Sequence, residues 1–220
     1  MLKKHIPNSI TCCNLICGCL ATLMASRGDF ELALGFMVSG AIFDFFDGFV
    51  ARLLKVSSPI GKELDSLADV VTFGVAPSMM LWSALDNMHL PYLVPFIAFL
   101  LAAFSALRLA KFNLDERQTT SFLGLPTPAN ALFWASLLMW EVPAFPATCL
   151  LLLLSCWLLV SEVPMFAMKF KHYGWKDNEV RYCFLVLAVA LVVLCGPVRC
   201  WAVIIPIYIL ISIVTSLIKK

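Results

Sequence analysis

Charged residues are scarce in this 220-residue sequence. They make up 14% of the chain, whereas hydrophobic residues make up 61% and the mean hydropathy is +0.91. A typical soluble domain is about a quarter charged, so this composition excludes a disordered chain, a collagen-like fibre and a soluble enzyme. The formal net charge of +2 argues against a nucleic-acid partner. The composition therefore indicates a polytopic membrane protein.

Long polar segments are also lacking, so no soluble domain of any size fits between the apolar runs. A transmembrane helix needs about 20 apolar residues, and the sequence contains about eight such runs, of which the fifth and seventh are short. We therefore predict an all-α, polytopic membrane helical bundle that forms a single domain over residues 1–220. The predicted membrane segments are 8–26, 31–54, 63–86, 91–112, 127–140, 144–162, 181–196 and 199–218.

Lysine and arginine are distributed unevenly between the ends of these segments. When the N-terminus is placed in the cytoplasm, every basic residue except Arg27 and Arg199 falls on the cytoplasmic side. Such a bias sets membrane orientation, so both termini are predicted to be cytoplasmic. We expect the protein to lie in a bacterial inner membrane.

The sequence also lacks paired metal-binding cysteines. None of its nine cysteines belongs to a CxxC pair, and all of them lie within or beside apolar runs. Because a buried free cysteine behaves as a small hydrophobic residue, we expect neither a cysteine metal site nor a disulfide framework.

Four carboxylates interrupt the apolar pattern of the second and third segments. Asp44 and Asp47 are three residues apart, and Asp65 and Asp69 are four residues apart, so each pair shares one helix face. A charged group near the centre of a membrane helix costs at least about 2.5–3.5 kcal/mol and usually has a function. Since a turn separates the two segments, we expect antiparallel helices that bring the four carboxylates together just inside the cytoplasmic interface.

Neighbouring carboxylates in a poorly hydrated site stay ionised only beside positive charge. Protonation, pairing with arginine and binding of divalent metal ions are the alternatives, and Arg52 alone cannot neutralise four charges. Oxygen ligands without paired histidine or cysteine favour Mg²⁺ or Mn²⁺, and four shared carboxylates suggest two ions that clamp phosphoryl oxygens. The small residues Gly48, Ala51 and Gly61 would allow a bulky ligand to approach the helices closely.

The segment 44–69 resembles a known family signature. Its pattern Asp-x2-Asp-Gly-x2-Ala-Arg-x8-Gly-x3-Asp-x3-Asp is similar to that of the CDP-alcohol phosphotransferase family at every fixed position. The resemblance implies an integral membrane enzyme, a homodimer with a six-helix core, in which an alcohol hydroxyl displaces CMP from a CDP-linked lipid. It further implies that the four aspartates hold two divalent ions and that Asp69 is the base that deprotonates the hydroxyl.

Eight residues are candidates for binding the CDP-linked lipid. Asn8, Thr11 and Asn14, at the start of the first segment, are spaced to share one helix face. Alternatively, these polar residues cap the helix and form hydrogen bonds at the membrane interface. Others correspond to positions that contact the CDP group in the resembling family. The candidates are Gly48, Ala51, Arg52, Ser58, Gly61, Asn8, Thr11 and Asn14.

The identity of the acceptor alcohol depends on other segments. Residues 107–113, 122–129 and 163–171 resemble the branch of the family that uses serine, whereas the last two predicted helices, about 181–218, are less distinctive. The resemblance implies CDP-diacylglycerol and L-serine as substrates, with phosphatidylserine and CMP as products. Candidate serine-binding residues are Arg108, Lys111 and Asn113, although cytoplasmic loops are expected to carry basic residues in any case.

Two alternatives remain open at this point. The same chemistry with glycerol 3-phosphate or an inositol phosphate would also require cations near the acceptor. An ion-coupled transporter would also use intramembrane carboxylates, but it predicts carboxylates near the midplane and an internal repeat, and we find no repeat. The unrelated phospholipase D-like route is excluded, because none of the three histidines belongs to a His-x-Lys motif.

Overall fold

The computed structural model describes residues 5–56, 58–115, 122–166, 174–175 and 178–218. The described chain is almost entirely helical, which confirms the predicted all-α fold. A two-residue antiparallel pairing joins β1 (Phe122–Leu123) to β2 (Pro164–Met165). The helices are α1 (His5–Ser26), α2 (Phe30–Leu53), α3 (Pro59–Asp69), α4 (Ala76–Asp86), α5 (Leu100–Leu114), α6 (Thr127–Trp140), α7 (Phe145–Val160), α8 (Glu179–Arg199) and α9 (Trp201–Ile218).

Short segments of other helix types join some of these helices into longer rods. A π-helical segment, Val70–Val75, links α3 to α4, and a 3₁₀ segment, Val94–Phe99, leads into α5. In the described chain, five rods are long and apolar enough to cross a membrane: α1, α2, Pro59–Asp86, Val94–Leu114 and α8. The protein is therefore a polytopic helical membrane protein.

Each of the eight predicted segments overlaps a helical rod, but three rods fall short of the five full-length ones. The apolar helices Phe145–Val160 and Trp201–Leu217 are shorter, and α6 has 14 residues. Proline marks the start of two of these helices. Both α6 and α7 carry a proline in the first turn, where a backbone N–H would form no hydrogen bond within the helix. The number of helices with full spanning length is thus five in the described chain, where the sequence predicted about eight segments.

The predicted orientation depends partly on residues outside the described part of the chain. Arg52, Arg108, Lys111 and Arg181 are described, but both termini and most of the longest polar stretch are not. The basic residues that lie outside the described residues are Lys3, Lys4, Arg117, Lys169, Lys171, Lys176, Lys219 and Lys220.

Two clusters of buried side chains form the interior. The larger one packs α1, α2, α4 and α6 around wholly buried side chains such as Met37, Phe73 and Trp134. In this cluster the Trp134 indole Nε1 donates a hydrogen bond of 3.0 Å to Ser155 Oγ on α7. The second cluster joins α8 and α9 to the β1–β2 region, where Tyr208 Oη donates to the Phe166 carbonyl at 2.9 Å.

The closest helix contact places α1 and α2 against the π-helical segment. A Cβ at Gly40 would lie 2.7 Å from Thr72 Cγ2 and 2.8 Å from Asn14 Oδ1. Ordinary contacts of this kind are 3.4 Å or longer, so only glycine allows this approach. The approach places the polar residues of α1 directly beside the end of α3.

Candidate active site

The carboxylates predicted from the sequence meet between α2 and α3. One carboxylate oxygen from each of Asp44, Asp47 and Asp65 lies within 4.8 Å of the others. Asp69, one turn further along α3, interacts electrostatically with these carboxylates. Asp47 and Asp69 are buried, with 7% and 8% of their surface exposed, whereas Asp44 and Asp65 are half-buried. Asp44, Asp47 and Asp65 therefore form one cluster in space, and Asp69 lies close enough to interact with it electrostatically.

The polar residues of α1 hold two of these carboxylates in place. Thr11 Oγ1 donates a hydrogen bond of 2.5 Å to Asp47 Oδ2, and Asn14 Nδ2 donates one of 3.1 Å to Asp69 Oδ1. Thr72 Oγ1 in turn donates to Asn14 Oδ1 at 2.8 Å. Hydrogen bonds to a charged acceptor are stronger than those between neutral groups, so this chain of contacts fixes the direction of both carboxylates.

These contacts differ from the interpretations made from the sequence. Asn14 is wholly buried and both of its amide atoms are bonded inside the protein, so it lies behind Asp69 and does not line the cavity described below. Thr72 was not identified at all. The signal for it was present, because Thr72 is a hydroxyl residue three positions after Asp69 in an otherwise apolar run.

A cavity of about 210 Å³ opens beside the carboxylates, between α1, α2 and the start of α3. Asp47 and Asp65 lie in its wall, and Lys62 lines it as well. It is also lined by six of the eight residues predicted to bind the CDP-linked lipid, namely Asn8, Thr11, Gly48, Ala51, Ser58 and Gly61. Of the other two, Asn14 is buried and Arg52 is exposed in the last turn of α2.

The small residues of the cavity wall have different reasons to be small. A Cβ at Gly48 would meet no atom of the described chain within 4 Å, so glycine there leaves open space beside the carboxylates. A Cβ at Gly61 would lie 3.0 Å from both Asn8 Oδ1 and Ser58 Oγ. Ser58 is the N-cap of α3, and its Oγ accepts a hydrogen bond of 3.0 Å from the Gly61 backbone N–H.

The three candidates for binding the acceptor have different surroundings. Arg108 is buried with 7% exposure, donates from Nη1 to Thr127 Oγ1 at 3.2 Å, and interacts electrostatically with Asp69. Its guanidinium carbon lies 5.0 Å from the centre of the Phe112 ring. Arg108 is therefore a buried cation that interacts with Asp69 from α5, whereas Asn14 bonds to the same carboxylate from α1.

The other two candidates connect helices. Lys111 Nζ donates to the Val160 carbonyl at 2.9 Å, and Asn113 Nδ2 donates to Ser66 Oγ at 2.8 Å. These contacts link the end of α5 to α7 and α3.

Residues 4–194 match the model of the CDP-alcohol phosphatidyltransferase family. The chain belongs to this family. The match covers the aspartate cluster, the cavity and the region around Arg108.

Similar proteins from several organisms are named CDP-diacylglycerol–serine O-phosphatidyltransferase. That of Bacillus subtilis (strain 168) is 43% identical over 129 residues, covering 57% of this chain and 70% of the relative. That of Helicobacter pylori (strain J99) is 38% identical over 128 residues, covering 57% and 54% respectively. That of Mycobacterium leprae (strain TN) is 32% identical over 216 residues, covering 90% and 70%.

Members of the CDP-alcohol phosphatidyltransferase family generally use divalent metal ions, and the described residues fit such an ion. The clustered carboxylates offer only oxygen ligands, as Mg²⁺ and Mn²⁺ prefer. Asp65 Oδ1 is buried and has no hydrogen-bond partner among the described residues. A buried acceptor without a partner is costly, and a cation between α2 and α3 would satisfy it.

Proposed function

We propose that this protein transfers the phosphatidyl group of CDP-diacylglycerol to the hydroxyl of L-serine, giving phosphatidylserine and CMP. The observation that carries the proposal is the cluster of Asp44, Asp47 and Asp65, with Asp69 one turn further along α3, beside a cavity lined by the signature residues. The relatives' printed names support serine as the acceptor.

The metal site in this proposal consists of Asp44, Asp47, Asp65 and Asp69. Together they would hold two divalent ions, Mg²⁺ or Mn²⁺. Bound ions of this kind neutralise phosphoryl oxygens and the leaving group in an in-line displacement. Thr11 and Asn14 would orient the carboxylates from behind, as outer contacts commonly do for metal ligands.

The CDP group would occupy the cavity between α1, α2 and α3. Gly48 and Ala51 leave space along α2, and Ser58 and Gly61 form the start of α3. Lys62 lines the cavity with its Nζ donating to the Asn113 carbonyl at 2.8 Å, and Arg52 lies exposed in the last turn of α2; these two cations would face the charged phosphates. The acyl chains would remain in the lipid.

Asp69 would act as the general base. Its carboxylate lies between Asn14 and Arg108, with one oxygen bonded to Asn14 Nδ2. When the serine hydroxyl attacks the phosphatidyl phosphorus, its proton passes to Asp69, the new P–O bond forms and the bond to CMP breaks. A base within hydrogen-bond reach typically contributes about 10²–10⁴-fold to the rate.

Arg108 would supply the cation for the serine carboxylate, with Lys111 and Asn113 nearby at the end of α5. Arg108 suits this role because it is buried beside Asp69. The proposal also places the active site on the cytoplasmic face of a bacterial inner membrane, with both termini cytoplasmic, and pairs the chain with a second copy as a homodimer.

The test supplies purified protein with CDP-diacylglycerol, Mn²⁺ and a panel of alcohols, and measures CMP release. Release with serine is expected, whereas release with glycerol 3-phosphate or an inositol phosphate but not with serine would contradict the assignment. Asp69→Asn should abolish turnover while thermal unfolding stays unchanged. Full activity of this variant would remove Asp69 from the role of base.

A further inference from the structure

Buried polar atoms without hydrogen-bond partners occur on Arg108 and on two residues of α5 and α6, none of which lines the larger cavity. Within the described chain, Arg108 Nε, Ser105 Oγ and both side-chain amide atoms of Asn130 are buried and form no hydrogen bond. Ser105 and Asn130 are wholly buried, and Arg108 is 7% exposed. Leaving even one buried donor or acceptor unpaired costs about 1–3 kcal/mol, so these atoms point to a ligand.

The helix register places these residues together. The Arg108–Thr127 hydrogen bond joins the last part of α5 to the first residue of α6. One turn further from this junction, three residues along each helix, are Ser105 on α5 and Asn130 on α6. A Cβ at Gly74 would lie 3.1 Å from Ser105 Cβ, so Ser105 packs against the π-helical segment that follows Asp69. Ser105 therefore lies one turn from Arg108 on α5 and beside the segment that continues from Asp69.

We propose that Asn130, with Arg108 and Ser105, binds the ammonium and carboxylate groups of the acceptor, and that Asn130 thereby selects an amino acid over other alcohols. This inference rests on the proposed function. It adds Asn130 and Ser105, which the sequence analysis did not identify, to the acceptor site.

The chemistry of the unpaired atoms matches a zwitterion. Arg108 Nε–H and Asn130 Nδ2–H are donors suited to a carboxylate, whereas Asn130 Oδ1 and Ser105 Oγ are acceptors suited to an ammonium group. Glycerol 3-phosphate carries no ammonium group, so it would leave the two acceptors, Asn130 Oδ1 and Ser105 Oγ, without a donor. A single asparagine side chain offers both a donor and an acceptor, which is the pairing that an α-amino acid needs.

Arg108 also has access to water. A small cavity of about 20 Å³, enough for about one water molecule, is lined by Arg108, Lys111 and Ser161. In the proposal the hydrophilic acceptor approaches Arg108 from this side, whereas the apolar-tailed donor binds in the larger cavity. The two substrates would then meet at Asp69.

The experiment measures kcat and KM for serine, 3-hydroxypropionate and ethanolamine in the full-length protein with CDP-diacylglycerol and Mn²⁺. 3-Hydroxypropionate lacks the ammonium group, and ethanolamine lacks the carboxylate. Asn130→Leu keeps the size of the side chain and removes both polar atoms. It should raise the KM for serine by about 10–100-fold, as expected for loss of hydrogen bonds to charged groups, while the KM for CDP-diacylglycerol stays within about twofold.

The same variant should lose much of the preference for serine over 3-hydroxypropionate, because the ammonium group that only serine carries then lacks its Asn130 acceptor. Asn130→Asp keeps an acceptor oxygen and should retain that preference. The matched control is Ser136→Ala on the same helix, since Ser136 is wholly buried and its Oγ accepts from the Ala202 backbone N–H. This control should leave the serine KM unchanged.

Three outcomes separate the proposals. A protein that does not use serine at all would overturn both the proposed function and this inference. A protein that uses serine, with Asn130→Leu leaving its serine KM and its substrate preference unchanged, would overturn the inference alone and leave the unpaired atoms to bound water. If Asn130→Leu does not fold, Asn130→Asp decides, and loss of the serine preference in that variant counts against the inference.

Discussion

Gly40 offers a direct test of how the polar network controls Asp69. Replacing it by alanine would place a Cβ 2.7 Å from Thr72 Cγ2 and 2.8 Å from Asn14 Oδ1. Because ordinary contacts begin at 3.4 Å, both neighbours must move by at least half an ångström. Asn14 carries the hydrogen bond to Asp69, so the displacement reaches the carboxylate without any change in a residue that touches substrate.

The magnitude follows from two effects. Inserting a methyl group into a packed core costs about 1–3 kcal/mol, which lowers the melting temperature of a chain of this size by about 2–12 °C. A misplacement of about 1 Å in a reacting group costs on the order of 100-fold in rate. For a smaller displacement of Asp69 we expect kcat to fall by about 10–100-fold, with the KM of both substrates nearly unchanged.

The assay is CMP release at saturating CDP-diacylglycerol and serine, together with thermal unfolding of the purified protein. Gly35→Ala is the matched control, because Gly35 is exposed on the same helix and a Cβ there would meet no atom of the described chain within 4 Å. That control should keep the wild-type kcat and melting temperature. If Gly40→Ala behaved like Gly35→Ala in both measurements, the contact between α1, α2 and the π-helical segment would not control Asp69.

Three further predictions concern the metal ligands and the core. Thr11→Val removes the hydrogen bond to Asp47 and should raise the Mn²⁺ concentration for half-maximal activity by about 10–100-fold. The control Thr22→Val loses only a hydrogen bond within α1 and should leave that Mn²⁺ concentration unchanged. Removing divalent ions with a chelator should stop CMP release, and adding Mn²⁺ should restore it; activity that persists without ions would contradict a metal site. Trp134→Phe leaves Ser155 without its indole partner and should lower the free energy of unfolding by about 1 kcal/mol with both KM values unchanged.

The sequence predicted those parts of the molecule that depend on local spacing. Asp44, Asp47, Asp65 and Asp69 are spaced to share helix faces, and a single turn separates the two pairs. Any helical hairpin with this spacing brings the carboxylates close together. Four of the eight predicted lipid-binding residues line one cavity from this hairpin, and Asn8 and Thr11 line it from α1.

The parts that the sequence did not predict depend on contacts between distant positions. Asn14 and Asp69 are 55 residues apart, and Asn14 and Thr72 are 58 apart. No helical period relates them, so their pairing depends on how α1 packs against α3. Likewise, Thr127 and Asn130 belong to no recognisable sequence pattern. Their position near Arg108 is known only from the Arg108–Thr127 hydrogen bond in the structure.

The π-helical segment Val70–Val75 links the locally spaced aspartates of α3 to the distant residues of α1 and α5. A π turn contains more residues than an α turn, so it changes which faces the following residues present, and such turns are frequent at functional sites. Here the segment starts immediately after Asp69, with Thr72 bonded to Asn14 on α1 and Gly74 packed against Ser105 on α5. The segment is therefore fixed from both sides, and Asp69 lies where the polar residues of α1 and α5 both reach it. An unbroken α-helix would present Thr72 and Gly74 on other faces, so the π-helical segment is what lets the chain after Asp69 contact both α1 and α5.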